Sequence, residues 1–99
     1  MTAYLIADIE VTDVEAFERY RAEVPPVIAA HGGRYLVRGG AVHPMEGEMD
    51  LKRLVILEFP SLAAPRPFHD SPDYAPLLAL RLASTRSDVV LVEGHAPPG

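Results

Sequence analysis

Ala3-Tyr4-Leu5-Ile6-Ala7-Asp8-Ile9-Glu10 reads as a strand whose two alternating sides are both largely apolar. Leu5, Ala7 and Ile9 fall on one side, Tyr4, Ile6 and Asp8 on the other, because strand side chains alternate with period two. Arg34–Gly39 and Arg53–Phe59 repeat the pattern. Tyr35, Val37, Val55, Leu57 and Phe59 extend the first set; Leu36, Arg38, Leu54, Ile56 and Glu58 extend the second. Two amphipathic helices can cover only one face of such a sheet. The other is expected to meet a second copy of the chain, giving a homodimer through the sheet face.

The helices lie between these strands. Thr12 or Asp13 can cap the first, with Glu15 placed for a capping box if Thr12 is the cap. Phe17, Tyr20, Arg21, Val24 and Ile28 follow at helical spacing, with a kink or restart expected at Pro25-Pro26 and a close at His31-Gly32-Gly33. Ala41–Lys52 reads as a long polar hairpin loop with room for short strand extensions. Pro65 and Pro67 allow at most a helix that starts near Pro65. A further helix begins at Ser71-Pro72-Asp73-Tyr74, where Pro76 favours Asp73 over Ser71 as cap, and runs to about Thr85. Asp88–Glu93 is the last strand. The order is β-α-β-β-α-β, a ferredoxin-like α+β fold with an antiparallel sheet. It forms a single domain over residues 1–94, with 95–99 a flexible tail.

Composition narrows the function classes. The 99 residues contain no cysteine, which excludes thiolate zinc sites and cysteine nucleophiles. A net charge of −5 and scattered arginines argue against nucleic acid. The N-terminal stretch has no basic region before its apolar run, so neither a signal peptide nor a membrane span is expected, and the location expected by default is cytoplasmic. No phosphate loop, dinucleotide fingerprint, zincin helix or nucleophile elbow is present, and no cofactor is implied.

Tyr4-Leu5-Ile6-Ala7-Asp8-Ile9, Gly32-Gly33-Arg34-Tyr35-Leu36-Val37-Arg38-Gly39-Gly40, Glu58-Phe59-Pro60-Ser61 and Asp70-Ser71-Pro72-Asp73-Tyr74 together resemble the domain-of-unknown-function family DUF1330, within the dimeric α+β barrel superfamily. The resemblance spans Tyr4 to Gly94 and implies two subunits packed sheet against sheet. It implies no particular activity, since the superfamily includes cofactor-free monooxygenases, haem-degrading enzymes, lactone isomerases and plain ligand binders. Pro65 and Pro67 depart from the usual unbroken helix start, and His69 stands where an aromatic such as tyrosine is usual.

Asp8, Arg38 and Glu58 are the charges on the otherwise apolar second face. With the first and third strands taken as parallel neighbours, Asp8 and Glu58 come close together. One pKa of such a pair rises, which suits general acid or base work. Arg38 then serves as an anion clamp, or reaches an acid only across the dimer. Inter-subunit salt bridges that fix the register explain the same three charges. His69 is the histidine near a plausible cleft and reads as a base, a haem ligand or a hydrogen-bonded loop residue. His31 suits the dipole at a helix C-terminus. His43, Glu46, Glu48 and Asp50 match no metal-ligand spacing and read as a solvated loop. Tyr20 and Tyr35 are expected to pack their rings and direct their hydroxyls at a partner.

These residues lead to a small, mostly apolar pocket between sheet, helices and the Phe68–Tyr74 segment, binding a small organic molecule and extending to its turnover without a cofactor. Asp8, Glu58 and His69 are the catalytic candidates; Arg38, Tyr20 and Tyr74 are the ligand-binding ones. The alternative is a structural or regulatory dimer without small-molecule activity, and haem binding through His69 is a third reading.

Overall fold

The computed structural model describes residues 2–95. Four strands and three helices follow in the order β1 (Ala3–Val11), α1 (Val14–Ala30), β2 (Arg34–Arg38), β3 (Leu54–Phe59), α2 (Pro65–His69), α3 (Ala75–Ser84) and β4 (Thr85–Glu93). The strands form one antiparallel sheet in the order β2-β3-β1-β4. This is the expected ferredoxin-like α+β architecture, with the proline-rich stretch adding one short helix. Of the expected tail, everything past His95 lies outside the described residues.

The first and third strands are antiparallel, not the parallel neighbours expected from the sequence. The α1 crossover returns the chain so that β2 runs with β1. The hairpin to β3 then reverses direction, and β3 pairs beside β1 in the opposite sense. Glu58 therefore stands opposite Tyr4, and Asp8 opposite Leu54, at opposite ends of the ladder.

A second correction concerns β2. Tyr35 pairs with Leu57, Val37 with Ile56 and Arg38 with Val55, so Leu36 is an extra residue in a β-bulge. Strict alternation groups Val37 with Tyr35 and Arg38 with Leu36. The bulge exchanges them: Arg38 joins Val55 on the helix-covered face, and Val37 joins Ile56 on the open one.

Asp13, not Thr12, caps α1, its carboxylate accepting from the Ala16 amide at 3.2 Å. The helix runs through Pro25 and Pro26 as one element. At its end Gly32 takes the left-handed conformation with φ 82°. Ser71, not Asp73, supplies the side-chain bond before α3, its Oγ accepting from the Tyr74 amide at 3.1 Å. β4 starts at Thr85, earlier than expected, directly from the end of α3. Ala41–Asp50 is exposed and forms no strand extension.

All three helices lie on one face of the sheet, where the core is Val24, Ile28, Leu57, Phe59, Phe68, Tyr74 and Leu77. The other face carries Tyr4, Ile6, Leu54, Ile56, Val90 and Val92, and among the described residues no element covers it. Among the described residues, no helix is long and apolar enough to cross a membrane.

Candidate functional site

The helix-covered face does not close fully. Between the sheet, α1 and the α2–α3 segment lies a cavity of about 60 Å³, walled by Leu5, Ala7, Ile9, Val24, Val55 and Phe68. Since about 10–15 Å³ holds one water, this is room for a handful of non-hydrogen atoms. Leu5, His69 and Val89 also line an open cleft of about 280 Å³ beside α2 and β4.

Polar groups converge on this apolar space. Tyr20 from α1 and Tyr74 from the turn before α3 meet hydroxyl to hydroxyl at 2.9 Å. Burial, then the neighbouring Tyr74, pushes the Tyr20 phenol well above its ordinary pKa, so it stays a neutral donor. Burial likewise raises Tyr35, against the opposing pull of Arg38. Arg81 is 6% exposed; its Nε donates to the Tyr74 hydroxyl at 3.3 Å and its Nη1 to Ser87 Oγ at 2.5 Å. Arg53 lies over the Phe17 ring at 5.4 Å. Its buried Nε has no hydrogen-bond partner among the described residues. Arg38 lies over the Tyr35 ring at 4.8 Å, and its Nη2 donates to the Arg21 carbonyl at 2.6 Å.

That last bond follows from the sequence. A helical carbonyl normally accepts from the amide four residues later, which for Arg21 is Pro25, and proline has no amide hydrogen. The guanidinium of Arg38 supplies the missing donor. The same side chain thus ties β2 to α1 and stands at the cavity.

The other expected site residues are dispersed. Asp8 is on the open face, its Oδ1 accepting from the Lys52 and Arg53 amides at 2.8 and 3.2 Å, where it anchors the end of the long loop. The acid across from it is Asp88, not Glu58. Glu58 is paired within its own chain, Oε1 lying 2.8 Å from Arg34 Nη2. The two carboxylates do not come together, and Arg38 lies on the other side of the sheet from both. Tyr74 is buried, at 3% exposure, in the cavity wall. His69 does stand at the mouth, with Nδ1 3.3 Å from Asp70 Oδ1. The acids and the histidine of the long loop do not converge: among the described residues no three histidines, aspartates or glutamates are placed to hold a metal ion.

The model of one family, described as a domain of unknown function, DUF1330, matches residues 2–95. The chain belongs to the DUF1330 family. No curated protein matches it in sequence. Among solved structures, the RPA0582 protein of unknown function from Rhodopseudomonas palustris superposes with a TM-score of 0.78 at 19% identity, over 97% of this chain and 84% of that one. Rv0793 from Mycobacterium tuberculosis gives 0.63 at 19% identity, covering 100% of both chains. SnoaB, a cofactor-independent oxygenase from Streptomyces nogalater, gives 0.63 at 16% identity, over 97% of this chain and 95% of that one. At these identities the likeness is one of fold.

Two cavity residues of this DUF1330 chain escape a reading by motif. Arg53 has the strand parity of Val55, Leu57 and Phe59, which already places it on the covered face. Arg81 falls on the buried stripe of α3 with Leu77 and Ser84, at helical spacing. An arginine on an apolar stripe is the signal that could have found it.

Proposed function

We propose that this protein is a homodimer whose subunits meet through the open sheet face, each binding a small organic molecule in the cavity between sheet and helices. The observation that carries the binding reading is the convergence of Tyr20, Tyr74, Arg38, Arg53 and Arg81 on a small apolar-walled space with an open mouth. Binding sites are typically apolar concavities with a few placed polar groups. The small volume favours a ligand, or a ligand end, of few atoms. Neutral tyrosines and guanidiniums can orient such a molecule, and Arg38, Tyr20 and Tyr74 are its binding candidates.

Turnover without a cofactor is an extension of this reading. The likeness to an oxygenase that needs no cofactor is consistent with it. The candidate acid or base is then His69 at the mouth, because Asp8 and Glu58 face away from the cavity. Haem is a poor fit: the cavity is far smaller than the macrocycle, and His69 leans on Asp70.

Native mass spectrometry of protein purified without added ligand, followed by denaturation of the same sample, tests both parts. The expected result is a dimer carrying an extra mass that dissociates on unfolding. A bare dimer with no small molecule that binds on later addition favours the structural or regulatory alternative. A monomer overturns the sheet-to-sheet assembly.

A further inference from the structure

Four arginines line the cavity, and no aspartate or glutamate does. The chain has no shortage of acids: it holds 14, and its net charge is −5. Two of the cations away from the cavity are paired with them. Arg34 pairs with Glu58 at 2.8 Å, and Lys52 with Asp50 at 2.7 Å. Arg21, at the rim, has Glu18 at 3.4 Å. The other three meet only neutral groups among the described residues. Arg81 has a phenol and a serine hydroxyl, Arg38 a carbonyl and the face of Tyr35, and Arg53 the face of Phe17. Arg81 is buried and so is the Arg53 Nε, while Arg38 stays exposed to solvent. Withdrawing a guanidinium from water without a countercharge is unfavourable, and a charge so placed normally has an anionic partner.

The fold also makes room for this arrangement. Gly39 has φ 70°, and a Cβ there would fall 2.4 Å from Arg53 Nη1. The guanidinium thus packs directly on the backbone at the end of β2. Arg53 stands across from Ile9, and Ile9 from Ser87, which holds Arg81, so the two guanidiniums flank one rung of the sheet.

From this juxtaposition we infer that the ligand is a small carboxylate, its anionic end held by Arg53 and Arg81 with Arg38 beside them and its apolar body against the sheet. The inference rests on the binding role proposed above. Guanidinium forks match the planar carboxylate, and the cavity is small and apolar-walled, with no glycine-rich phosphate loop. The protonated Tyr20 hydroxyl is a further donor for the second oxygen.

Backbone-amide NMR titrations with acetate, butyrate and benzoate, each against its own amide, test it in buffer otherwise free of carboxylate and phosphate. Inorganic phosphate is a further arm. The expected result is saturable shifts at Tyr20, Tyr35, Tyr74 and Arg81 for at least one acid, at least tenfold tighter than for its amide. Arg53→Gln, checked for a cooperative melt, is expected to bring that preference below threefold, and Arg53→Lys to keep part of it. The wild-type acid-to-amide ratio stands as a readout even if a variant fails to fold. An amide that binds as tightly as its acid overturns the anion inference and leaves the pocket standing. Phosphate binding tighter than every carboxylate overturns the ligand class. No saturable shift at the cavity with any of these probes overturns the binding proposal itself.

Discussion

Tyr20 illustrates how one side chain links burial, chemistry and stability. Its phenol is held neutral by desolvation and by the Tyr74 hydroxyl, well above its ordinary value of 10.0. The unfolded chain releases that proton near pH 10 while the folded chain keeps it. Above that pH the folded state binds more protons, so stability falls as pH rises, by about 1.4 kcal/mol per pH unit for one such group. Denaturant titrations between pH 9 and 12 are expected to show this slope in the wild type and a shallower one in Tyr20→Phe; equal slopes would remove Tyr20 as the cause. Gly39 is the other residue whose identity matters singly. Gly39→Ala places a Cβ against the Arg53 guanidinium at a left-handed backbone position. A loss of about 1–3 kcal/mol is expected, together with movement of Arg53 and weaker binding of any carboxylate. Unchanged denaturation and unchanged titrations would mean that the guanidinium moves aside freely.

At the scale of elements, the instructive pair is Pro25 in α1 and Arg38 at the end of β2. Strand periodicity, proline positions and caps make most of the element order legible from the residues alone. The face on which Arg38 lies is not legible, because a single extra residue at Leu36 reverses the parity of everything after it in β2. Nothing local in Tyr35-Leu36-Val37 announces the bulge. The direction of β3 follows from connectivity rather than from any residue, and taking it wrongly brings Asp8 and Glu58 together on paper. The bulge turns Arg38 toward α1, where the carbonyl freed by Pro25 awaits a donor. Pro25→Ala restores that amide, so the two changes are expected to interact. Arg38→Ala is expected to cost about 1 kcal/mol in the wild type, since the bond is solvent-exposed, and much less beside Pro25→Ala. A double-mutant cycle by chemical denaturation measures the difference. Additive effects would show that the bond contributes nothing to stability.

For the whole molecule, the doubly apolar strands are the clearest signal in the sequence, and the structure leaves the same face open. The chain exposes 6552 Å². A compact monomer of 10.8 kDa exposes roughly 5,500 Å² by the usual scaling with mass. The loop Ala41–Asp50 is exposed throughout. On the open sheet face Leu36, Val90 and Val92 are 46%, 54% and 41% exposed. Around this apolar centre lie charges: Asp8 opposite Asp88 and Glu10 opposite Arg86 toward one end, and the Arg34–Glu58 pair at the other. An apolar centre inside a polar rim is the anatomy of a protein interface, and about 800 Å² per partner is its standard size. Val90→Lys places a charge in that centre while its opposite neighbour Ile6 stays on the same strand pair. The side chain points away from the helices, so the subunit fold has no reason to fail. Sedimentation velocity is expected to show a dimer for the wild type and a shift to monomer for the variant. The wild-type melting temperature is expected to rise with protein concentration and the variant's to stay constant. A variant that remains dimeric with wild-type affinity would place the contact elsewhere, and the open face would then need another covering.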